Sequence, residues 1–288
     1  MTRIVVTGAA GQLGAEFCRR LGERAISADR PDADITSDAF VRLLRETSPA
    51  AVINAAAFTD VDGAESQPEL CDAINATAVE RMVEVCRELD CPLVQLSTDY
   101  VFGQGDPVRR TPWRESDTPA PQGVYARSKL AAERHAARWE RHYVVRTCGL
   151  YAHPAPGQQV RNFVQTMLRL GSERRELSVV ADQHCTPSYV PHVAAAILFL
   201  IETHAYGTYH VVNSGATSWY EFAQAIFRRA GLEVDVRPIT SAQFGAVAPR
   251  PAYSVLDTTK YHALDGPRLP DWQEGLAAYF LQRKRQPA

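Results

Sequence analysis

Ile4-Val5-Val6-Thr7-Gly8-Ala9-Ala10-Gly11-Gln12-Leu13-Gly14 runs from a short apolar segment into three evenly spaced glycines. An apolar run too short for a helix, followed by glycines every third residue, predicts a strand, a tight turn and the start of a helix. Gly8 lets the chain turn sharply after the strand, Gly11 lets backbone approach a phosphate, and Gly14 lets the helix pack closely. The helix N-terminus then offers amide donors and a partial positive charge to an anion. Gly8, Gly11, Gln12, Leu13 and Gly14 are therefore candidate contacts for a dinucleotide pyrophosphate. A glycine-rich turn holding nothing is the bland alternative, and a strand in front with a helix behind weighs against it.

Working outward, the first half alternates short apolar runs with helical patterns, which predicts a parallel sheet wrapped by helices. Strands are expected at Ile4–Thr7, Ala25–Ala28, Ala51–Asn54, Leu93–Leu96 and Tyr143–Arg146. Helices are expected at Leu13–Leu21, Ser37–Thr47, Pro68–Glu88 and Tyr125–Arg141. The third should bury one broad face made of Leu70, Ile74, Val79, Met82, Val83 and Cys86. Beyond Arg146 the alternation becomes irregular, with a Pro/Gly/Gln loop over 153–159 and a helix from Asn162 to Leu170. An apolar run over 177–181, a helix from His192 to Thr203 and a strand at Tyr209–Val212 follow. Further on lie an amphipathic helix over 218–231, an irregular stretch over 238–250, a terminal helix at Trp272–Leu281 and a basic tail at 283–285. The expected fold is α/β, a doubly wound parallel sheet of Rossmann type with a smaller, discontinuous C-terminal lobe. Residues 1–149, completed by about 177–214, form the nucleotide-binding domain; 150–176 and 215–288 form the substrate lobe.

Tyr125-Ala126-Arg127-Ser128-Lys129 places a phenol and an ammonium one helical turn apart on one face. Ser97-Thr98-Asp99-Tyr100 follows the fourth strand, so its polar groups should emerge at the carboxyl edge where ligands bind. An unperturbed tyrosine, with pKa ≈ 10, donates a proton poorly at neutral pH. A nearby lysine cation, with the positively charged oxidised nicotinamide formed by the reaction, favours the phenolate, and lowering the pKa by ~3 units corresponds to roughly 4 kcal/mol. Thr98, Tyr125 and Lys129 are thus candidate catalytic residues for carbonyl reduction by a nicotinamide cofactor. Thr98 would orient the carbonyl oxygen, and Lys129 would also hold the nicotinamide ribose.

Cofactor choice should be set at the end of the second strand by Asp29-Arg30. Asp29 suits an unmodified ribose and Arg30 a 2′-phosphate, so NADPH is expected with NADH left open. Asp34 and Ile35 are placed by the adenine, and Ala55, Ala56 and Ala57 beneath the cofactor. Tyr125 and Lys129 count among its contacts as well.

The chain's 288 residues carry 31 basic and 33 acidic side chains, a formal charge of −2, so no global field favours nucleic acid or an anionic membrane. No apolar run approaches the ~20 residues needed to span a bilayer. The first strand begins too early for a signal peptide, which predicts a cytoplasmic enzyme. Six scattered cysteines without a Cys-x-x-Cys read as free, mostly buried thiols. His184-Cys185 lacks partners at metal spacing, and no metal site is expected.

The glycine loop with Thr98, Tyr125 and Lys129 resembles an extended short-chain dehydrogenase/reductase acting on nucleotide sugars. More narrowly, Asn54-Ala55-Ala56-Ala57-Phe58-Thr59-Asp60-Val61-Asp62, Ser97 to Phe102, Asn162-Phe163 to Met167-Leu168, Asp182-Gln183 and Leu269-Pro270-Asp271-Trp272 resemble the dTDP-4-dehydrorhamnose reductase family almost end to end. That resemblance implies reduction of the C4 ketone of dTDP-4-dehydro-L-rhamnose, with hydride from the cofactor and a proton from Tyr125. It also implies that Asp99 and Tyr100 face the sugar, that Asn162, Gln183 and Arg250 lie near the nucleotide diphosphate, and that Val61 and Asp62 approach the pocket. An arginine there is physically apt, since guanidinium binds phosphate bidentately.

The expected partner is a dTDP-sugar, and a homodimer is left open. Dehydratases of this superfamily carry Thr-Asp-Glu where this chain has Thr98-Asp99-Tyr100, which disfavours dehydration, while an epimerase shares the trio. The family commonly has tryptophan where Gly149 stands, so a wider or differently selective pocket is expected, and the segment 106–110 looks long. Two alternatives stand beside the main reading. One is a 4-ketoreductase of another dTDP-deoxysugar, decided by turnover across ketosugars. The other is a non-catalytic regulatory subunit resembling methionine adenosyltransferase β, disfavoured by the intact trio.

Overall fold

The structure is a computed structural model that describes residues 2–103, 109–154 and 162–285, with side chains through residue 283. The loop 153–159, the segment 106–110 and the basic tail therefore lie partly outside the described residues.

Five strands open the fold: β1 (Ile4–Thr7), β2 (Ala25–Ala28), β3 (Ala51–Asn54), β4 (Leu93–Thr98) and β5 (His142–Thr147). Six helices run between them: α1 (Gln12–Leu21), α2 (Asp38–Thr47), α3 (Val61–Ser66), α4 (Pro68–Asp72), α5 (Ala78–Glu88) and α6 (Gly123–Ala136). Later come β6 (Leu150–Tyr151), β7 (Glu176–Val180), β8 (His184–Cys185), β9 (Ser188–Tyr189), β10 (Gly207–His210), β11 (Thr217–Ser218) and β12 (Asp235–Ile239). The large sheet has the order β2-β1-β3-β4-β5-β10, parallel throughout. Side chains alternate across it, as the period of a strand requires. Ile4, Val6 and Ile53 pack on one face with Phe17 of α1 and with Ile197 of α8 (Val190–Thr203; α7 is given below). Val5, Val52 and Leu93 pack on the other with Leu44, Met82 and Ala132. Both faces are thus covered, the condition for an all-parallel sheet.

Residues 177–189, expected with the nucleotide-binding half, do not join this sheet. β7 pairs with β12, β8 with β11 and β9 with β6. These short pairs and α7 (Phe163–Glu173), α9 (Trp219–Ala230), α10 (Ser241–Phe244), α11 (Thr259–His262) and α12 (Trp272–Arg285) complete the molecule. A separate apolar core containing Tyr151, Val164, Leu177, Phe222 and Leu276 joins β6, β7, β9, β12, α7, α9 and α12, whereas Tyr261 of α11 packs with α8 against the large sheet. The chain returns to the large sheet only with α8 and β10, whose Gly207–His210 partners are Tyr143–Arg146.

The expected single helix over 68–88 is broken. A π-helical turn, Ala73–Thr77, separates α4 from α5, and its Asn75 accepts from the Phe58 amide and donates to Ser128 Oγ. A buried amide that must satisfy two segments at once accounts for the extra residue in the turn. Leu70 faces outward at 47% exposure and is not part of the broad apolar face. Helix α6 ends at Ala136 rather than Arg141, and Trp139 beyond it donates its indole N–H to the Cys91 carbonyl.

Candidate active site

The sheet order reverses at β1, so the carboxyl ends of β1 and β3 diverge into a crevice where α/β sheets bind ligands. Gly8 sits there at φ +60, and a Cβ on it would lie 2.7 Å from the Ala55 carbonyl oxygen and the Ala56 amide. A Cβ on Gly14 would lie 2.1 Å from the Gly8 carbonyl oxygen. Gly14 therefore lets the helix close on the turn itself. Gly11 caps α1 without a side-chain hydrogen bond, which leaves the helix start to backbone donors. This cradle fits a pyrophosphate, and Leu13 is buried beneath it.

Asp29, at the end of β2, accepts from the Ala10 amide at 2.7 Å and from the Arg30 amide at 2.8 Å. It braces the glycine loop, whereas Arg30 is exposed. Asp34 is folded onto Thr36, accepting from its amide and hydroxyl, and Ile35 is buried in the core. Beneath the crevice a polar thread crosses the sheet. Thr7 Oγ1 donates to Asn54 Oδ1 at 2.6 Å, and Asn54 Nδ2 to Gln95 Oε1 at 2.7 Å. Gln95 Nε2 donates to the Leu96 carbonyl at 2.8 Å, and Lys129 Nζ donates to that carbonyl at 2.7 Å.

Lys129 is buried at 3% exposure, and burial pushes its ammonium down to about 8 against the raising attraction of Glu133. Tyr125 shares a hydrogen bond with Thr98, and its ring meets Tyr100 edge-on at 6.1 Å. Without a nicotinamide beside it, the Tyr125 pKa lies above the ordinary tyrosine value. Burial pushes it up, the hydrogen bond to Thr98 opposes this, and the neighbouring Asp99 adds to the rise. The Lys129 ammonium is turned to the Leu96 carbonyl, so desolvation dominates at the phenol. The hydroxyl stays protonated at neutral pH, the form a proton donor needs.

Asp99 is wholly buried. Ser254 Oγ donates to its Oδ2 at 2.5 Å and Thr98 Oγ1 to its Oδ1 at 3.2 Å. Burial outweighs these bonds and raises its carboxyl to about 6. A narrow crevice beside it is lined by Asp99, Tyr100, Gln183, Trp219, Arg250 and Ser254. The structure thus brings together Thr98, Asp99, Tyr100, Tyr125, Gln183 and Arg250. Arg250 is anchored at 2.6 and 2.8 Å to the two carboxylate oxygens of Asp62, and Gln183 donates to Ser241 Oγ.

Asn162 lies elsewhere. It caps α7 by accepting from the Gln165 amide, and donates to Gln12 Oε1 at 2.9 Å, beside the glycine loop. Trp219 was missed in the sequence, and it alters the expectation built on Gly149. At φ +51, a Cβ on Gly149 would lie 3.2 Å from Trp219 Cη2. The space is taken by this second indole, which leans on Phe163 at 4.7 Å. Glu133 was missed too, although Tyr-x-x-x-Lys-x-x-x-Glu spacing on one helix face is a readable signal. Ser254 offered none.

A phenol, an ammonium and a hydroxyl gathered beside a dinucleotide cradle are the parts an NAD(P)H-dependent oxidoreductase of the short-chain type uses on a carbonyl. Residues 1–285 match the family model described as "RmlD substrate binding domain". The chain belongs to that family, the dTDP-4-dehydrorhamnose reductases. It is 38% identical to the spore coat polysaccharide biosynthesis protein SpsK of Bacillus subtilis, covering 98% of each chain. Identity is also 38% with a Mycobacterium tuberculosis dTDP-4-dehydrorhamnose reductase, over 96% of this chain and 91% of that one. The crystal structure of a Bacillus anthracis dTDP-4-dehydrorhamnose reductase in complex with NADP superposes with TM-score 0.91 at 38% identity, covering 98% of this chain and 100% of that one.

Proposed function

We propose that this chain reduces the C4 ketone of dTDP-4-dehydro-L-rhamnose to dTDP-L-rhamnose with NADPH, Tyr125 donating the proton. The observation that carries this reading is the gathering of Tyr125, Thr98 and Lys129 at the carboxyl end of β4, on the same sheet edge as the Gly8 turn with β3 between them. When bound, the reduced nicotinamide supplies the hydride. Gly8, Gly11, Gln12, Leu13 and Gly14 would hold the pyrophosphate, with Ala55 to Ala57 under the ring end. Arg30 is exposed and Asp29 is engaged by two amides, which favours a 2′-phosphate over a plain ribose. The NADP-bound relative supports the same choice.

Tyr125, protonated because it is desolvated, gives its proton to the carbonyl oxygen as negative charge builds there. Thr98 orients that oxygen, and Lys129, whose ammonium also donates to the Leu96 carbonyl, would hold the ribose. Asp99, Tyr100 and Gln183 would line the sugar, and Arg250 would take the diphosphate. Asn162, tied to Gln12, serves the cofactor end of the cleft instead. In this reading residues 1–149 with α8 and β10 carry the cofactor, and the rest closes over the sugar.

Turnover of dTDP-4-dehydro-L-rhamnose with NADPH, with the product identified by NMR, tests the reaction; faster turnover of another dTDP-ketosugar would replace the substrate. Tyr125→Phe should keep NADPH binding and lose activity by about a hundredfold or more. Unchanged turnover would remove Tyr125 as the donor.

A further inference from the structure

Helix α6 carries three functional groups on one stripe: Tyr125, Lys129 and, a turn further on, Glu133. Glu133 is 6% exposed and lies on the sheet side with Lys129. Its Oε1 accepts from Ser97 Oγ at 2.5 Å and from Arg146 Nε at 2.9 Å, while Oε2 accepts from Arg146 Nη2 at 2.7 Å. Arg146 is itself 4% exposed, and its Nη1 meets His210 Nε2 at 3.3 Å. His210 Nδ1 faces the Asp257 carbonyl oxygen at 3.1 Å. With Nδ1 donating to that carbonyl, Nε2 of a neutral ring accepts from Arg146. Burial and the Arg146 charge keep the ring neutral, its pKa pushed down to about 3.

Two features make this more than a fold clasp. Ser97 is the strand residue immediately before Thr98, so Glu133, by accepting from the Ser97 hydroxyl, holds the end of β4 that carries Thr98. Glu133 is also the largest attraction felt by the Lys129 ammonium. A buried ion pair is a weak stabiliser compared with apolar residues of the same shape, so stability alone gives little reason to keep one here.

We propose that Glu133, clamped by Arg146, is a positioning residue for the reduction: through Ser97 it fixes Thr98, and through its charge it keeps Lys129 an ammonium. This rests on the catalytic reading of Thr98, Tyr125 and Lys129. The groups acting on Lys129 are Glu133 from its own helix and the Cys71 thiol from α4. Among the other elements packed on α6, β4 offers the Ser97 and Thr98 hydroxyls and the π turn offers Asn75. From α3, Glu65 is spent on the Val124 amide, and Glu80 of α5 pairs with Arg138 and contacts His135 at the far end. Removing the Glu133 charge therefore lets the Lys129 pKa fall further. A lysine needed as its cation is lost as pH rises through that value, so the alkaline limb of activity must move to lower pH.

The test compares pH profiles of kcat/KM for dTDP-4-dehydro-L-rhamnose and NADPH in the parent, Glu133→Gln, Ser97→Ala and Tyr125→Phe. Glu133→Gln should lower kcat by up to about a hundredfold and move the alkaline limb down by roughly half a unit or more. Ser97→Ala leaves no buried charge unpaired, so it keeps the fold even if Glu133→Gln loses it. It should lower kcat severalfold while KM and the alkaline limb stay in place. Superimposable profiles with unchanged kcat in Ser97→Ala and in any folded Glu133→Gln protein, beside an inactive Tyr125→Phe, overturn the role of Glu133 alone. An active Tyr125→Phe overturns the catalytic reading and this inference with it.

Discussion

Arg250 holds Asp62 by two hydrogen bonds, Nη1 to Oδ1 at 2.6 Å and Nη2 to Oδ2 at 2.8 Å, joining the C-terminal lobe to α3 at the edge of the crevice. Asp62 accepts from the Ala248 amide as well, and Arg250 keeps its carboxyl down at about 2. The guanidinium is thereby aimed before a ligand arrives, which spares ordering cost on binding. Asp62→Asn should raise KM for the dTDP-sugar by roughly fivefold, with kcat and NADPH affinity little changed. Steady-state kinetics with NADPH saturating checks it, and a fall in KM would mean that Asp62 competes with the diphosphate instead.

Trp219 presents an indole to the crevice beside Tyr100 and Arg250, a surface suited to the apolar face of a sugar ring. Trp219→Ala should weaken the sugar nucleotide by about 1–2 kcal/mol, and Trp219→Phe by less. Calorimetric titration with dTDP-L-rhamnose reads this directly, and NADPH affinity should stay constant.

Lys129 carries a stability cost. Its pKa of about 8 lies below the lysine reference, so the folded state disfavours the ammonium. That cost is fully present below about pH 8 and vanishes as pH rises past the unfolded value. Lys129→Met should therefore raise the unfolding free energy at pH 7 by up to about 3 kcal/mol while abolishing most turnover. The gain should shrink toward pH 10, and denaturant titrations at several pH values would show it.

Asp99 behaves with the opposite sign. Its carboxyl titrates near 6 in the fold and near the ordinary aspartate value when unfolded, so its contribution to stability is full at acid pH and lost as pH rises through 6. Asp99→Asn removes the buried charge. Its advantage over the parent should appear between about pH 4 and 6, reach at most about 3 kcal/mol, and stay constant above. Thermal midpoints of the two proteins across that range decide it.

The five strands over 4–147 were readable because each is a short apolar run bounded by turns, and only the ends of β4 and β5 moved. Gly8, Gly14 and the Tyr125 to Lys129 spacing were readable because each residue type is dictated by local geometry. The break at Asn75 was hidden, since a helical pattern does not reveal an amide serving the Phe58 backbone and Ser128 from outside the helix. Residues 177–189 misled because an apolar run looks alike whether it enters a large sheet or a two-stranded one. A lysine at i+4 is visible in a sequence, while the desolvation that raises the Tyr125 pKa comes from residues distant along the chain.

One wall of the crevice beside Asp99 is the Trp219 indole at the head of α9, and Gly149, after β5, leaves room for it. Neither belongs to α6, which carries Tyr125 and Lys129, or to the glycine turn between β1 and α1. Substitution at Trp219 can therefore resize the recess while the chemistry above it is untouched, so selection among ketosugars and catalytic power are free to diverge independently in descendants of this protein.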